Sequence, residues 1–417
     1  MAEVVPSGLT ITLPLRPAPP RSHVHTETAK SPPGTLLGAS PLTPPAGRTR
    51  DPVPNHNLKR TDPYQFGTRF LSEGDDVYEF NAWDAVETDE AYRLHAKSQY
   101  EFQRAHAVSE FDKGRFNNAP EKWWDKFYTH HTTNFFKDRK WLRMEFPILE
   151  ELTREPSPQI HEKVQILEVG AGAGNTAFPL LGCNKNPNLF IHACDFSPKA
   201  VGLIRSHPSY IANPSHILAS VWDVASDPMS PLPEGIIENS IDVVLMIFIF
   251  SALSPEQWEN AVRNVWRVLK PGGIVCLRDY GRGDLAQVRF KKGRWLGENF
   301  YVRGDGTRVY FFEEDELKDI WGGKVGRREE EHFGEESGDP EKGERHAEDQ
   351  QDQKYSAITD TTPSPAFEVL KIGVDRKLLV NRKRELKMYR CWLQARFQKP
   401  LSTLESSTKM STSQECY

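Results

Sequence analysis

Three glycines follow an apolar run in the sequence LEVGAGAGN, at Gly170, Gly172 and Gly174. Glycine lets a ligand approach the backbone closely and adopts positive φ angles without steric cost. The spacing G-x-G-x-G differs from the G-x-G-x-x-G of dinucleotide-binding turns, and no Gly-Lys-Ser/Thr follows as it would in a P-loop. Taken alone, the turn is compatible with a nucleoside ligand and equally with an ordinary tight strand-to-helix turn.

Two acidic residues end the next two predicted strands: Asp195 in CDFSP and Asp223 in SVWDV. A carboxylate beside the glycine turn can accept both ribose hydroxyls of an adenosine, and one on the following strand can hold the adenine edge. The alternative is an ordinary turn role, although Ser197 already supplies a helix N-cap next to Asp195. Ile247 follows as an apolar wall for adenine or as a core residue. This order of residues favours S-adenosylmethionine over NAD.

The elements that position these residues are short apolar segments alternating with amphipathic ones, from Lys163 onward. The predicted strands are KVQILEVG, LFIHACD, HILASVWDV, SIDVVLMIFIF, IVCLRDY, FEVLKIGVD and MYRCWLQARF. This alternation is typical of an α/β fold with a doubly wound parallel sheet. Between Asp89 and about Leu152, apolar residues recur at spacings of three and four, which predicts an N-terminal helical cap.

Composition sets the predicted boundaries. Residues 1–60 contain twelve prolines and should form a disordered tail, as should 401–417. A helical cap is predicted at 61–155 and a catalytic domain at 156–400, interrupted by a disordered polar insert at 322–365. The scarcity of acidic residues at the start of the chain suggests a mitochondrial presequence, but the prolines oppose the amphipathic helix that such a signal needs. We therefore expect the protein in the cytoplasm, with the nucleus as a second compartment.

Several function classes are excluded by the remaining composition. The longest apolar run, at 243–250, is far shorter than the roughly 20 residues that span a bilayer, so no membrane partner is expected. The five cysteines are scattered without a CxxC motif, and His130 and His131 lack partners at ligand spacing. We therefore expect neither a disulfide framework nor a metal site.

Longer segments resemble a known family, the eukaryotic tRNA N3-methylcytidine methyltransferases. They are KWWDKFYTHHTTNFFKDRKW, ILEVGAGAGNTAFPLL, ACDFSPKAV, IFIFSALSP, LRDYGRGDLAQVRFKKGRWLGENFYVRGDGTRVYFF and VDRKLLVNRKRELKMYRCWLQARF. The resemblance implies a class I, Rossmann-like fold with a seven-stranded sheet whose last strand is antiparallel. It also implies S-adenosylmethionine as donor and cytidine 32 of the anticodon loop as acceptor. The implied donor residues are Trp124, Tyr128, Gly170, Asp195, Asp223, Val224 and Ile247. Ala171 replaces the cysteine usual in the family.

Cytidine N3 carries a free lone pair at neutral pH, so methyl transfer needs positioning more than a general base. Asp279, in RDYG, is a candidate to stabilise the cationic product or to bind the cytosine amino group; a structural pair with Arg278 is the alternative. Tyr280 is a candidate to stack on the target base after it leaves the loop stack.

Aromatic residues interleaved with basic ones predict surfaces for single-stranded RNA. One is Phe135 with Lys137 and Arg139; another is the basic run 376–390. The third is the stretch 288–312, predicted to be a β-hairpin at Gly304–Gly306, with Phe300, Val302, Val309 and Phe311 packed inward. Its predicted outward cations are Lys291, Lys292, Arg294, Arg303 and Arg308, and Arg278 is a further candidate. For the first two runs, a solvated charged face is the alternative.

Two other functions use the same residues. A class I methyltransferase could act on a small molecule or protein, although the aromatic and basic surfaces argue against it. An inactive tRNA-binding scaffold is also possible in principle, although the intact donor residues oppose it. By the resemblance, threonine, serine or arginine tRNAs are the candidate substrates, and an aminoacyl-tRNA synthetase or an anticodon-binding protein is a candidate partner.

Overall fold

The computed structural model describes residues 69–133, 135–156, 162–324 and 364–401. The predicted disordered tails, apart from residue 401, and most of the predicted insert lie outside the described residues. The strands are β1 (Ala82–Asp84), β2 (Val164–Val169), β3 (Leu189–Asp195), β4 (Ile217–Val221), β5 (Ile241–Ile247), β6 (Leu269–Tyr280), β7 (Trp295–Gly297), β8 (Phe300–Val302), β9 (Arg308–Tyr310), β10 (Glu368–Asn381) and β11 (Leu386–Gln398).

Helices α1 to α5 precede the main run of strands, where the sequence predicts a helical cap. The helices are α1 (Glu90–Ala105), α2 (Glu110–Asn117), α3 (Pro120–His131), α4 (Leu142–Glu145), α5 (Pro147–Thr153), α6 (Ala177–Cys183), α7 (Pro198–Arg205), α8 (Pro208–Ile211), α9 (Trp258–Val268), α10 (Leu285–Val288) and α11 (Glu314–Trp321). Two 3₁₀ turns, Phe250–Ala252 and Pro255–Gln257, follow β5.

The main sheet has the order β1-β10-β11-β6-β5-β2-β3-β4 within the described residues. Strands β2 to β6 are mutually parallel, whereas β11 pairs antiparallel with β6 and β10 antiparallel with β11. The predicted α/β class is confirmed. The predicted count of seven strands is wrong by one, because β1 adds an antiparallel edge strand through pairs such as Trp83 with Leu378. Three residues are too few to show a strand period in the sequence.

Alternate residues of the central strands fill two apolar layers, one on each face of the sheet. Leu167 and Val169 pack into the layer that contains Trp258. Ile166 packs into the opposite layer, which contains Phe146 of the α4–α5 connection. Both faces of a parallel sheet are therefore covered, and the carboxyl ends of its strands are left as the edge where side chains can meet a ligand.

The predicted hairpin exists, but its predicted inward and outward faces are wrong. In the β8–β9 pair, Phe300 faces Tyr310 and Val302 faces Arg308, so these four share one face. Every residue of β8 and β9 is buried, because the hairpin is packed on both faces. One face joins the layer that contains Trp258, and the other forms its own cluster with Tyr280, Phe290 and Trp295.

The basic run 376–390 begins directly after the predicted strand FEVLKIGVD, but most of it lies within strands and not in a connection. Strands β10 and β11 extend through it and leave only residues 382–385 as a turn. Four of its cations form ion pairs with acids from elsewhere in the chain: Arg376 with Glu87, Lys377 with Asp84, Lys387 with Asp89, and Arg390 with Asp284. These acids reduce the positive potential that a phosphate track would need.

Candidate functional site

A cavity lies at the carboxyl ends of β2 to β5, with α3 as one wall. All seven residues that the sequence analysis assigned to the donor line it: Trp124, Tyr128, Gly170, Asp195, Asp223, Val224 and Ile247. Trp124 and Tyr128 lie one turn apart on α3, and their ring centroids are 6.1 Å apart at an interplanar angle of 29°. The helix therefore presents a continuous aromatic surface to the cavity.

The glycine turn lies directly under this aromatic surface. Gly172 has a φ of +58°, and a Cβ at this position would lie 2.6 Å from the hydroxyl of Tyr128. A side chain there would meet both a strained backbone and a steric clash. Glycine is thus required for the turn to lie against α3.

Asp195 is fixed by the backbone on both sides of its carboxylate. Its Oδ2 accepts from the Gly172 N–H at 2.9 Å, and its Oδ1 accepts from the Ser197 N–H at 2.9 Å. Burial raises the pKa of Asp195 to about 6 despite these two bonds. Ser197 caps α7 as predicted and also donates to Asp125 of α3 at 2.5 Å, which joins the helical cap to the site.

Asp223 lies beyond the end of β4 and is exposed, with its Oδ1 accepting from the Ala225 N–H at 2.9 Å. A carboxylate in this position retains free lone pairs toward the cavity. Val224 and Ile247 are buried beside it and supply apolar surface. The polar and apolar groups of the cavity are thus arranged as an adenosine would require, with acids for its hydroxyl or amino donors and flat apolar surface for its ring.

Arg139, a predicted RNA contact, lines this same cavity, and its side chain is 12% exposed. Its Nη1 donates to Thr176 at 2.9 Å and lies 3.5 Å from Oε1 of Glu168, a residue that is 1% exposed. Burial raises the pKa of Glu168 to about 7. The pair was missed in the sequence, because the two residues are far apart in the chain and Glu168 reads as part of an apolar strand.

Phe248 is a second residue that sequence reasoning missed. It follows β5, lines the cavity and has a φ of +61°, a conformation that is strained for a non-glycine residue. Its ring centroid lies 5.1 Å from that of Tyr280, the predicted stacking residue. These two rings form an aromatic step beside the cavity.

Asp279 is fully buried and is not among the residues that line the cavity. Its Oδ2 accepts from the Ser251 N–H at 2.9 Å and its Oδ1 from the Tyr280 N–H at 2.8 Å. The alternative prediction was a pair between Asp279 and Arg278, but Arg278 pairs with Asp375 instead. Arg278 points to the opposite face of β6, where it bonds Asp375 and Gln394 between the rings of Trp141 and Trp392. Its burial (7% exposed) makes the predicted RNA contact unfavourable.

The other predicted RNA contacts lie in different environments. Phe135 (54% exposed), Lys137, Lys291 and Lys292 are exposed, and Arg303 is half-buried with its guanidinium 5.5 Å from the centre of the Tyr280 ring. Arg308 was predicted to point outward, but it is 3% exposed and lines the cavity. The hairpin register explains this, since it turns Arg308 to the same face as Phe300.

A second concavity lies on the other side of α3, and we call it the aromatic–basic groove. It is lined by Arg115, Phe116, Trp123, Lys126, Phe127, His130, His131, Arg294, Gly304, Asp305 and Gly306. The hairpin turn closes one side of it, with Gly306 packed against the indole of Trp123. In the described part of the chain, no cluster of three or more His, Cys, Asp or Glu could hold a metal ion, and none of the helices could span a membrane.

Comparisons with known proteins agree with the resemblance seen in the sequence. Residues 167–275 match a family described as a methyltransferase domain. The tRNA(Thr) (cytosine(32)-N(3))-methyltransferase of Saccharomyces cerevisiae is 47% identical over 343 residues, which cover 82% of this chain and 47% of that protein. The chain thus spans about half the length of this relative.

A second relative matches over nearly its whole length. The tRNA N(3)-methylcytidine methyltransferase trm140 of Schizosaccharomyces pombe is 43% identical over 334 residues, which cover 80% of this chain and 92% of that protein. Among solved structures, a SAM-dependent methyltransferase from Methanosarcina mazei matches with a TM-score of 0.34 and 17% identity, over 60% of this chain and 100% of that one.

Proposed function

Since the chain belongs to the tRNA N(3)-methylcytidine methyltransferase family, we propose that it methylates N3 of a cytidine in the anticodon loop of tRNA, with S-adenosylmethionine as donor. The name of the Saccharomyces relative specifies cytosine 32 of tRNA(Thr). We extend that position to this chain and take threonine tRNA as the first acceptor to test, ahead of serine and arginine tRNAs. The cytoplasm is the compartment in which we expect it to act.

One observation carries the proposal: α3 is a wall of two different sites. Trp124 and Tyr128 face the donor cavity, whereas Trp123 and Phe127 face the aromatic–basic groove. A methyltransferase acting on RNA must hold a nucleoside donor and a polynucleotide on adjacent surfaces. Aromatic faces for bases and cations for phosphates are the groups that bind single-stranded RNA.

The donor cavity fits an adenosine in the chemistry of its lining. Asp195 supplies acceptors for ribose hydroxyls next to the glycine turn, and Asp223 supplies an acceptor for an amino group. Gly172 has no side chain, so the glycine turn can lie against Tyr128 at the wall of the cavity. When bound, S-adenosylmethionine supplies a methyl group on a positively charged sulfur.

The aromatic step formed by Phe248 and Tyr280 is placed to hold the target base. A cytosine that leaves the loop stack loses its stacking neighbours, and two aromatic rings replace them at the cavity edge. Its N3 lone pair would attack the donor methyl without prior loss of a proton. The N3–C bond would form as the S–CH3 bond breaks, S-adenosylhomocysteine would leave, and the positive charge would pass from the sulfur to the base. Positioning is therefore the main contribution of these two rings to the rate.

Asp279 can stabilise that cation from behind the aromatic step. It is buried next to Tyr280, so its carboxylate acts on the product base through the field and through the position of Tyr280, without a direct contact. Arg303, whose guanidinium lies 5.5 Å from the centre of the Tyr280 ring, is then available for the phosphate next to the flipped nucleotide.

Binding measurements on an Asp195→Ala variant test this assignment. We expect its affinity for S-adenosylhomocysteine to fall by about 100-fold, because two charge-assisted hydrogen bonds are lost. Its affinity for tRNA should stay within about twofold of that of the unmodified protein, because Asp195 is outside the groove. Asp227→Ala, which removes an exposed loop carboxylate, is the matched control and should change neither affinity.

The binding experiment also separates the enzyme from a scaffold. If the unmodified protein binds tRNA but shows no affinity for S-adenosylhomocysteine, the scaffold is the correct function. A synthetase or anticodon-binding protein as partner remains a proposal, and its test is whether tRNA methylation by the purified chain increases when the partner is added.

A further inference from the structure

Arg308, on β9, is a buried cation that forms no ion pair with any of the described residues. Its guanidinium donates only to neutral oxygens: Oδ1 of Asn117 at 3.1 Å, Oε1 of Gln257 at 2.7 Å and the Ala252 carbonyl at 3.2 Å. Its Nε is buried and lacks a hydrogen-bond partner in the described part of the chain. Burial lowers the pKa of Arg308 to about 10.

Such an arrangement is costly without a further partner. Removing a cation from water is unfavourable unless hydrogen bonds and opposite charge replace the lost hydration, and an unpartnered N–H adds to that cost. Buried polar groups without a partner are rare in folded proteins, so each one requires an explanation. Arg308 lines the donor cavity, so a bound ligand is the nearest source of the missing acceptor.

The position of Arg308 within the cavity limits which chemical group of a ligand could accept its hydrogen bond. Two of its acceptors, Ala252 and Gln257, are themselves cavity residues, and its charge interacts with that of Asp223. It therefore lies on the Asp223 side, whereas Arg139 lies on the side of the glycine turn with Thr176. Asp223 would repel a phosphate or a carboxylate, so a neutral acceptor suits this side better.

We propose that Arg308 donates its Nε–H to a ring nitrogen of the donor's adenine, and so is a donor-binding residue and not an RNA contact. This inference rests on the proposed function, because it takes the donor to be S-adenosylmethionine. Adenine offers both a hydrogen-bond donor and neutral acceptors, which are the two kinds of group that this side of the cavity can bind. Its amino group suits the Asp223 carboxylate, and its ring nitrogens are neutral acceptors for an arginine.

The arrangement gives the hairpin a second role. Strand β9 holds Arg308 in the donor cavity, while the turn that precedes it packs against Trp123 in the aromatic–basic groove. One hairpin thus contributes to both sites. A donor that bonds Arg308 fixes β9, and with it the wall of the groove.

The test is a cycle of protein variants and donor analogues, measured by titration calorimetry. The ligands are S-adenosylhomocysteine and its 1-deaza, 3-deaza and 7-deaza forms, in which CH replaces one ring nitrogen. One of the three should bind the unmodified protein about tenfold or more weakly, the value of one charge-assisted hydrogen bond. Arg308→Met removes the charge and the Nε–H, whereas Arg308→Lys keeps the charge and lacks the Nε–H. In both variants, the affinity of this deaza analogue should be within about twofold of that of S-adenosylhomocysteine.

Arg289→Met is the matched control, because Arg289 precedes the same hairpin, is exposed and does not line the donor cavity. It should show the same deaza difference as the unmodified protein. Melting curves identify any variant that does not fold, and Arg308→Lys then carries the comparison. The inference is overturned if every deaza difference persists in both Arg308 variants, or if these lose tRNA affinity while their affinity for S-adenosylhomocysteine is unchanged. Failure of the unmodified protein to bind S-adenosylhomocysteine would instead overturn the proposed function itself.

Discussion

The carboxylate of Asp279 accepts a hydrogen bond from the backbone N–H of Ser251 at 2.9 Å. This bond joins the end of β6 to the 3₁₀ turn that follows β5, two neighbouring segments at the carboxyl edge of the sheet. Tyr280 is the last residue of β6, and Phe248 lies between β5 and this 3₁₀ turn. The aromatic step beside the donor cavity therefore depends on a buried carboxylate for its geometry.

The pH dependence of turnover should report the ionisation of Asp279. Burial raises its pKa to about 6, so the carboxylate that favours a developing positive charge is present above pH 6 and lost below it. With tRNA and donor both saturating, kcat should rise through about pH 6. Asp279→Asn should lower kcat by at least about tenfold and remove this rise. A flat pH profile in the unmodified protein would leave Asp279 with only a structural role.

The stability of the protein should reflect the buried Glu168. Its pKa is about 7 in the folded state and 4.5 ordinarily, so the folded protein retains a proton that the unfolded chain has released. Its contribution to stability therefore falls as the pH rises from about 4.5 to 7. The melting temperature of Glu168→Gln, relative to the unmodified protein, should rise across this interval by at least about 3 °C.

A surface acid provides the control for that measurement. Glu150 forms a partly exposed ion pair with Arg143, and pairs of this kind contribute little to stability. Glu150→Gln should give a melting-temperature difference that is nearly constant between pH 5 and 8. If Glu168→Gln behaves in the same way, Glu168 is not the buried, proton-retaining group that the structure indicates.

Two glycines of the hairpin turn should respond very differently to alanine. Gly306 has a φ of +88°, and a Cβ there would lie 2.1 Å from Cε3 of Trp123, whereas a Cβ at Gly304 would meet no atom within 4 Å. Gly306→Ala should cost roughly 1–3 kcal/mol of stability from backbone strain alone, with an added steric cost. It should also weaken tRNA binding, since Trp123 lines the groove. Gly304→Ala should be nearly neutral in both measurements, and equal effects would contradict the packing of the turn on Trp123.

Phe135 and Lys137 should contribute to tRNA binding in different ways. Phe135→Ala should cost about 1–3 kcal/mol of tRNA affinity if a loop base stacks on this exposed ring. Lys137→Ala should reduce the salt dependence of binding by about one phosphate contact. Phe102→Ala, on α1, removes another partly exposed phenylalanine and serves as the control. The assignment fails if the Phe135 and Phe102 variants bind tRNA equally well.

The sequence was sufficient where a function depends on local order along the chain. Gly170, Asp195, Asp223 and Ile247 each lie at or just beyond the carboxyl end of a parallel strand, and the ends of such strands meet at one edge. Their convergence on one cavity could thus be predicted without knowing any contact. The extra strand β1 could not, because a three-residue edge strand depends on its partner and has no period of its own.

The sequence was insufficient where a side chain's environment depends on register or on distant residues. The predicted inward and outward faces of the hairpin were wrong, because a register shift of one residue exchanges the two faces of a strand. The sequence does not reveal this register, which the pairing of Val302 with Arg308 defines. Arg139 and Glu168 meet across 29 positions of sequence, and neither residue type signals a partner. The sequence predicted Arg278 to be a surface cation, but the antiparallel strand β11 pairs with β6 and covers it.

The most direct measurement of the central claim is to map the methyl group after incubation of the purified protein with unmodified tRNA and labelled S-adenosylmethionine. Digestion of the tRNA and mass spectrometry of its nucleosides should place the label on N3-methylcytidine. Fragment mapping should place that nucleoside at position 32 of the anticodon loop. Label on another nucleoside, at another position, or only on protein would contradict the account.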